Sequence, residues 1–219
     1  MTPARPRPAL DALERVPVEA RAEWRAWLAR HHAASPGVWL VTWKQASGRP
    51  RVPYDDVVEE ALCFGWVDSL PRKLDAERTM LLVTPRRRGS AWSAPNKARV
   101  ERLTRAGLMA PAGLAAVEAA RADGSWARID AAQAQVVPSD LAAALAADAA
   151  AAGHWERFPP SAKKGILEWI AQAKGADTRA RRVAATVAEA AANRRANAYR
   201  QPKGAGPKPG AEHGAEHGA

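Results

Sequence analysis

Arg86, Arg87 and Arg88 lie together, with Trp92 and Lys97 close behind, and this group is the part of the chain best equipped for chemistry. A guanidinium fork pairs with a phosphate or carboxylate through two parallel hydrogen bonds. A neighbouring indole can stack on a base or another planar group. If the preceding run is a strand, Arg86 and Arg88 share one face while Arg87 points away. The alternative is that Trp92 plugs a core and the arginines form a solvated strand end. Asp68, near Arg72 and Lys73, is a weak candidate for a general base; otherwise it is the partner of an arginine in a structural ion pair.

Farther along, Arg179 and Arg182 share a helix face, with Lys174 just before them. They either complete an anion site or pair with acidic residues such as Asp140 or Asp148. Cys63 sits among apolar residues with no histidine nearby in sequence, so a buried, inert thiol is expected. Asp55, Asp56, Glu59 and Glu60 form like-charge pairs and are expected on an exposed helix face rather than around a metal. His213 and His217 lie in a Gly-rich tail and warrant no more than adventitious metal binding. No phosphate loop, zincin motif or nucleophile elbow is present. The expectation is no cofactor and no metal.

The elements that must position these residues follow from periodicity. Residues 18–32 repeat Ala22, Trp24, Trp27 and Leu28 at helical spacing. Val38 to Lys44 reads as a strand. Residues 54–64 read as a helix with Val57, Val58, Ala61 and Leu62 on one face, and its first-turn aspartates complement the helix dipole. Residues 66–74 and 78–84 read as a strand pair. Beyond Pro95 the pattern is helical, over 95–107, 111–123, 138–150, 161–174 and 177–197. The expected fold is α+β, a small three-stranded antiparallel sheet with helices followed by an all-helical C-terminal subdomain. The expected division is a flexible arm at 1–17, an α+β subdomain at 18–107, a helical subdomain at 108–200 and a disordered tail at 201–219.

Composition bounds the partners. The chain has 219 residues, a formal charge of +10 and nine Trp against two Phe and two Tyr. Much of its apolar content is Ala, which favours helix but buries little area, so the tryptophans are expected to anchor the core. Residues 72–105 and 161–203 each carry ten basic against three acidic residues, while 123–158 carry two against five. Two basic blocks around an acidic segment suit an anionic small molecule or nucleic acid. One Cys excludes an intramolecular disulfide. The first thirty residues contain no signal-peptide core, and no apolar run is long enough for a membrane span, so a cytoplasmic location is expected.

Several blocks together resemble the YdeI/OmpD-associated family, also labelled bacteriocin-protection proteins, with an OmdA-like C-terminal region. They are Trp39-Leu40, ALCFGWVDS at 61–69, TPRRRGSAWSAPN at 84–96, GLMAPAG at 107–113, DGSW at 123–126, PSDL at 138–141 and AKGADTRARR at 173–182. The resemblance spans residues 20–195. Pro53 departs from it, standing where relatives often place Ser or Thr before the tyrosine. The resemblance implies a role in antimicrobial or stress tolerance and transfers no catalytic residue. The leading expectation is a non-catalytic protein binding an anionic ligand through Arg86, Arg88, Trp92 and Lys97, with Arg179 and Arg182 as further candidates. The alternatives are a DNA- or RNA-binding protein and an enzyme acting on a small anionic metabolite through Asp68.

Overall fold

A computed structural model describes residues 9–198 and 200–205. The first eight residues of the expected arm, and the expected tail from 206 with His213 and His217, lie outside the described residues. The chain divides into two compact units: residues 1–90 with 95–126, and residues 91–94 with 127–219.

In the first unit, strand β1 (Glu14–Pro17) leads into helix α1 (Arg21–His31) and strand β2 (Val38–Trp43). Helix α2 (Tyr54–Cys63) follows, then the hairpin β3 (Trp66–Lys73) and β4 (Arg78–Pro85), then α3 (Ala94–Arg105) and α4 (Pro111–Ala122). The sheet has four strands in the order β1-β2-β4-β3, one more than expected. The extra strand comes from the segment expected as an arm. β1 runs parallel to β2, pairing Glu14 with Val38 and Val16 with Leu40. Its proline is tolerated because β1 is an edge strand, where a missing N–H breaks no ladder bond. β2 and β3 flank β4 in antiparallel fashion, and β3 is bulged between Asp68 and Pro71.

Side-chain alternation gives this sheet two covered faces. Trp39, Val41, Met80 and Leu82 pack with Leu13 on one side. On the other, Leu40 and Val38 lie opposite Leu81 and Val83. The tryptophans carry the bulk that alanine lacks. Trp24 stacks on Trp27 at 5.4 Å, and Trp66 meets both edge-on. Three of the buried indole N–H groups find carbonyls: Trp24 donates to Val57, Trp66 to His32 and Trp39 to Leu10. At the start of α1, the Glu23 carboxylate accepts from the N–H groups of Glu19 and Ala20. α2 begins after Pro53 with no side-chain cap, and Gly65 turns the chain out of it at φ +73°.

The second unit is helical: α5 (Asp130–Gln133), α6 (Ser139–Ala146), α7 (Ala149–Arg157), α8 (Pro160–Ala171) and α9 (Ala176–Ala191). The helix expected over 138–150 is two helices. Alanine propensity runs straight through this stretch, but Asp148 interrupts it by accepting the Ala151 N–H at 2.9 Å as an N-cap. Leu141, Trp155, Ile166, Leu167 and Ile170 form the core of this unit. No helix among the described residues is long and apolar enough to cross a membrane.

Candidate functional site

The acidic run of α2 overturns one expectation. Glu59 and Glu60 are buried, at 6% and 2% exposure, rather than displayed on an open face. Glu60 accepts from Arg21 and Arg25 of α1, each at 2.6 Å. Arg21 also reaches Asp56 and Glu59, while Arg102 and Arg99 of α3 pair with Glu59 and Asp55. Burial lowers the Arg21 pKa, yet the Glu60 hydrogen bond and the charges of Glu60, Asp56 and Glu59 outweigh it and raise it above the ordinary value. The Arg102 hydrogen bond holds Glu59 below the usual carboxylate range against the opposing effect of burial. The cluster is an electrostatic clamp joining three helices. No group of carboxylates, histidines or cysteines suited to a metal occurs among the described residues. Cys63 is buried beside this cluster, and burial followed by the Glu60 charge raises its thiol pKa, which disfavours the nucleophilic thiolate.

The basic turn after β4 is tightly held. The Arg86 N–H donates to the Gly65 carbonyl at 2.9 Å, and the Ser90 N–H and hydroxyl both donate to the Arg87 carbonyl. The Gly89 N–H donates to Asp123, whose other oxygen accepts the Ser125 N–H. Arg86 is half-buried, its Nη1 3.3 Å from the Ser90 hydroxyl, and burial depresses its pKa to about 10 against the raising effect of Asp68. Arg87 and Arg88 are exposed, and no carboxylate pairs with either guanidinium among the described residues.

Trp126, rather than Trp92, is an indole of the first unit with basic neighbours. Trp92 is 1% exposed and belongs to the second unit, so its ring offers no open face. Trp126, half-buried in the first unit, lies under Lys97 at 5.4 Å and Arg121 at 5.1 Å. It follows directly on the Asp123–Ser125 segment that anchors Gly89. The sequence signal for it is the DGSW block, whose Asp123 lies 34 residues beyond the Gly89 it binds.

The C-terminal arginines are engaged locally. Arg179 grips Asp140 through two hydrogen bonds, of 2.7 and 2.9 Å. Arg182 donates to the Trp169 carbonyl and lies over its ring at 5.1 Å. Arg179 thus makes an acidic pairing of the expected kind, while Arg182 meets a carbonyl and an indole instead. Asp68 forms neither an ion pair with Arg72 nor one with Lys73; it accepts the Tyr54 hydroxyl at 2.6 Å. Both residues line a cavity of about 610 Å³ on the helix-bearing side of the sheet, reached also by Lys44 and Arg51.

Residues 135–193 match the family described as bacteriocin-protection, YdeI or OmpD-associated. Residues 16–116 match a domain of unknown function, DUF8412. The likeness carried by PSDL and AKGADTRARR thus falls inside the YdeI/OmpD-associated region, whereas the Trp39-Leu40, ALCFGWVDS and TPRRRGSAWSAPN blocks fall inside the domain of unknown function. Searches of curated proteins and of solved structures return no match.

Proposed function

We propose that this protein, whose C-terminal region is YdeI/OmpD-associated, is a non-catalytic binder of an anionic ligand. The contact surface is the basic patch of the first unit: Arg88 with Arg87 on the turn, and Lys97 and Arg121 about Trp126. Arg86 and Asp123 hold the turn rather than display it. The single observation that carries this reading is the rigidly bonded turn that projects Arg87 and Arg88 with no internal carboxylate to neutralise them. Six other arginines of the unit do have such partners: Arg21, Arg25, Arg72, Arg78, Arg99 and Arg102. A preorganised guanidinium loses little side-chain freedom on meeting a phosphate or carboxylate. By the family label, the physiological setting is tolerance of bacteriocins or related antimicrobial stress.

A second reading, nucleic-acid binding, is favoured by the openness of the patch and the half-exposed indole among its cations. Both kinds of ligand are separated by one experiment. Fluorescence anisotropy with labelled single- and double-stranded DNA and RNA, across a salt series, is run beside calorimetry with inorganic phosphate and pyrophosphate. Salt-sensitive binding of the polymers, weakened about tenfold in Arg87→Ala/Arg88→Ala, establishes nucleic acid. Binding of the small anions alone, lost in the same variant, establishes the small-ligand reading. No binding of either at physiological salt, or binding indifferent to the variant, overturns both.

A further inference from the structure

The cavity beside Tyr54 and Asp68 is separate from the basic patch and has no part in the function proposed above. Its volume of about 610 Å³ lies inside the range of small-molecule sites, roughly 300–1,000 Å³. The sequence builds it in a definite way. Leu40 and Leu81 are a cross-strand pair on the helix-bearing face, with Thr42 opposite Thr79 one step along. Val57 of α2 closes one wall, Trp43 at the end of β2 borders it, and the loop between β2 and α2 supplies Arg51. That loop cannot lie flat over the sheet: Gly48 turns at φ +67°, and Pro50 and Pro53 bar it from becoming a further strand.

The exposed lining is mainly apolar, with polar side chains from the strands and the loop at its border. Tyr54 Oη donates to Asp68 Oδ2 at 2.6 Å, which occupies one carboxylate oxygen. Burial first, and then the hydrogen bond to Asp68 and its charge, push the Tyr54 pKa up to about 12, so the phenol remains a donor throughout the neutral range. Asp68 Oδ1 has no hydrogen-bond partner among the described residues and is left to accept from elsewhere. A carboxylate at the wall of an apolar cavity selects against another carboxylate and in favour of a donor. The two cations at its border do not reverse this preference: Arg51 is exposed and screened, and the Lys44 ammonium is already engaged by the Asp75 and Ala76 carbonyls.

We infer that this cavity binds a small, largely apolar molecule carrying a hydroxyl or protonated amine, with that donor on Asp68 and its apolar body between Leu40, Leu81 and Val57. The site gives the first unit a ligand of opposite preference to that of its basic patch.

Three probes sharing one ring test this: tryptamine, tryptophol and indole-3-acetate, titrated against the full chain by ligand-observed NMR. Tryptamine and tryptophol are expected to bind and compete with each other, with indole-3-acetate at least about tenfold weaker. Asp68→Asn should weaken tryptamine about tenfold while sparing tryptophol, which can still donate to the amide oxygen. Leu81→Trp, which fills the cavity, should abolish binding of all three; Leu40→Phe serves the same purpose if circular dichroism shows that the first variant misfolds. Arg87→Ala/Arg88→Ala should leave the titrations unchanged, which separates this site from the basic patch. Failure of both donor probes to bind, a preference for indole-3-acetate, or binding that survives a folded cavity-filling variant overturns the inference.

Discussion

Glu60 receives Arg21 on one carboxylate oxygen and Arg25 on the other, both at 2.6 Å, and is itself almost completely enclosed. The two arginines sit one helical turn apart on α1, so one carboxylate from α2 spans them. Such a pair contributes little beyond what well-packed apolar residues would, but removing one member strands charge in a low-dielectric setting. Glu60→Ala is therefore expected to lower unfolding stability by about 3 kcal/mol. Glu60→Gln, which keeps the shape and one acceptor, should cost less than the alanine variant. Denaturant titration of the two variants checks this; a loss below about 1 kcal/mol for Glu60→Ala would show the clamp to be slack.

Acid should loosen the same clamp through Glu59. Its folded-state pKa lies below the ordinary value, chiefly because Arg102 hydrogen-bonds its ionised form. A depressed carboxylate pKa contributes stability that is fully present above the unfolded-state value and is lost as pH falls through the folded-state value. Thermal stability should stay level from neutrality to about pH 5 and then fall. Glu59→Gln should begin less stable and fall less steeply. The same acid slope in both proteins would exclude Glu59 as its source.

The sequence made some of this legible and concealed the rest for identifiable reasons. The β3–β4 hairpin was plain, because two strand-like runs meet across Asp75-Ala76-Glu77, where Asp75 accepts the N–H groups of Glu77 and Arg78. β1 was hidden because it is short, ends in proline and pairs in parallel with β2, leaving no turn signal between partners. Burial of Glu59 and Glu60 was hidden because periodicity counts apolar residues, whereas their partners Arg21, Arg25 and Arg102 lie far away in the chain. The basic turn was visible as a run of arginine. That the segment ahead of Trp126 is tied to this turn depends on Asp123 reaching back to Gly89, which no local pattern announces.

Gly113 marks the closest approach of α4 to α2. A Cβ added there would stand 2.2 Å from the Cys63 carbonyl oxygen and 2.8 Å from that of Leu62. Both are backbone atoms and cannot swing aside. The same Cys63 oxygen accepts the Ala110 N–H at 3.0 Å, so displacing α4 breaks a second link. Gly113→Ala gains helix propensity of about 1 kcal/mol yet should still be net destabilising, by about 1–3 kcal/mol, because the backbones must separate. Gly153→Ala provides the contrast: there an added Cβ would meet only the flexible end of Arg157 at 3.6 Å, so propensity dominates and stability should rise. Equal responses from the two glycines would refute the close packing of α4 on α2.

Thr42 carries the last prediction, because it sits between stability and ligand recognition. Its hydroxyl is buried and finds no hydrogen-bond partner among the described residues, while its neighbours across β4 and along β2 are engaged in the sheet. A buried hydroxyl without a partner forfeits its hydration and gains nothing in return. Thr42→Val keeps the β-branched shape suited to a strand and removes that cost. Stability in denaturant should hold or rise, by up to about 1 kcal/mol, in contrast to the usual loss when threonine is replaced inside a hydrogen-bonded network. Because Thr42 lines the cavity, the same variant should retain tryptamine binding if Asp68 alone accepts the ligand's donor. A fall in stability of more than about 1 kcal/mol would mean that the hydroxyl is bonded after all, and would make Thr42 a second polar anchor of that cavity.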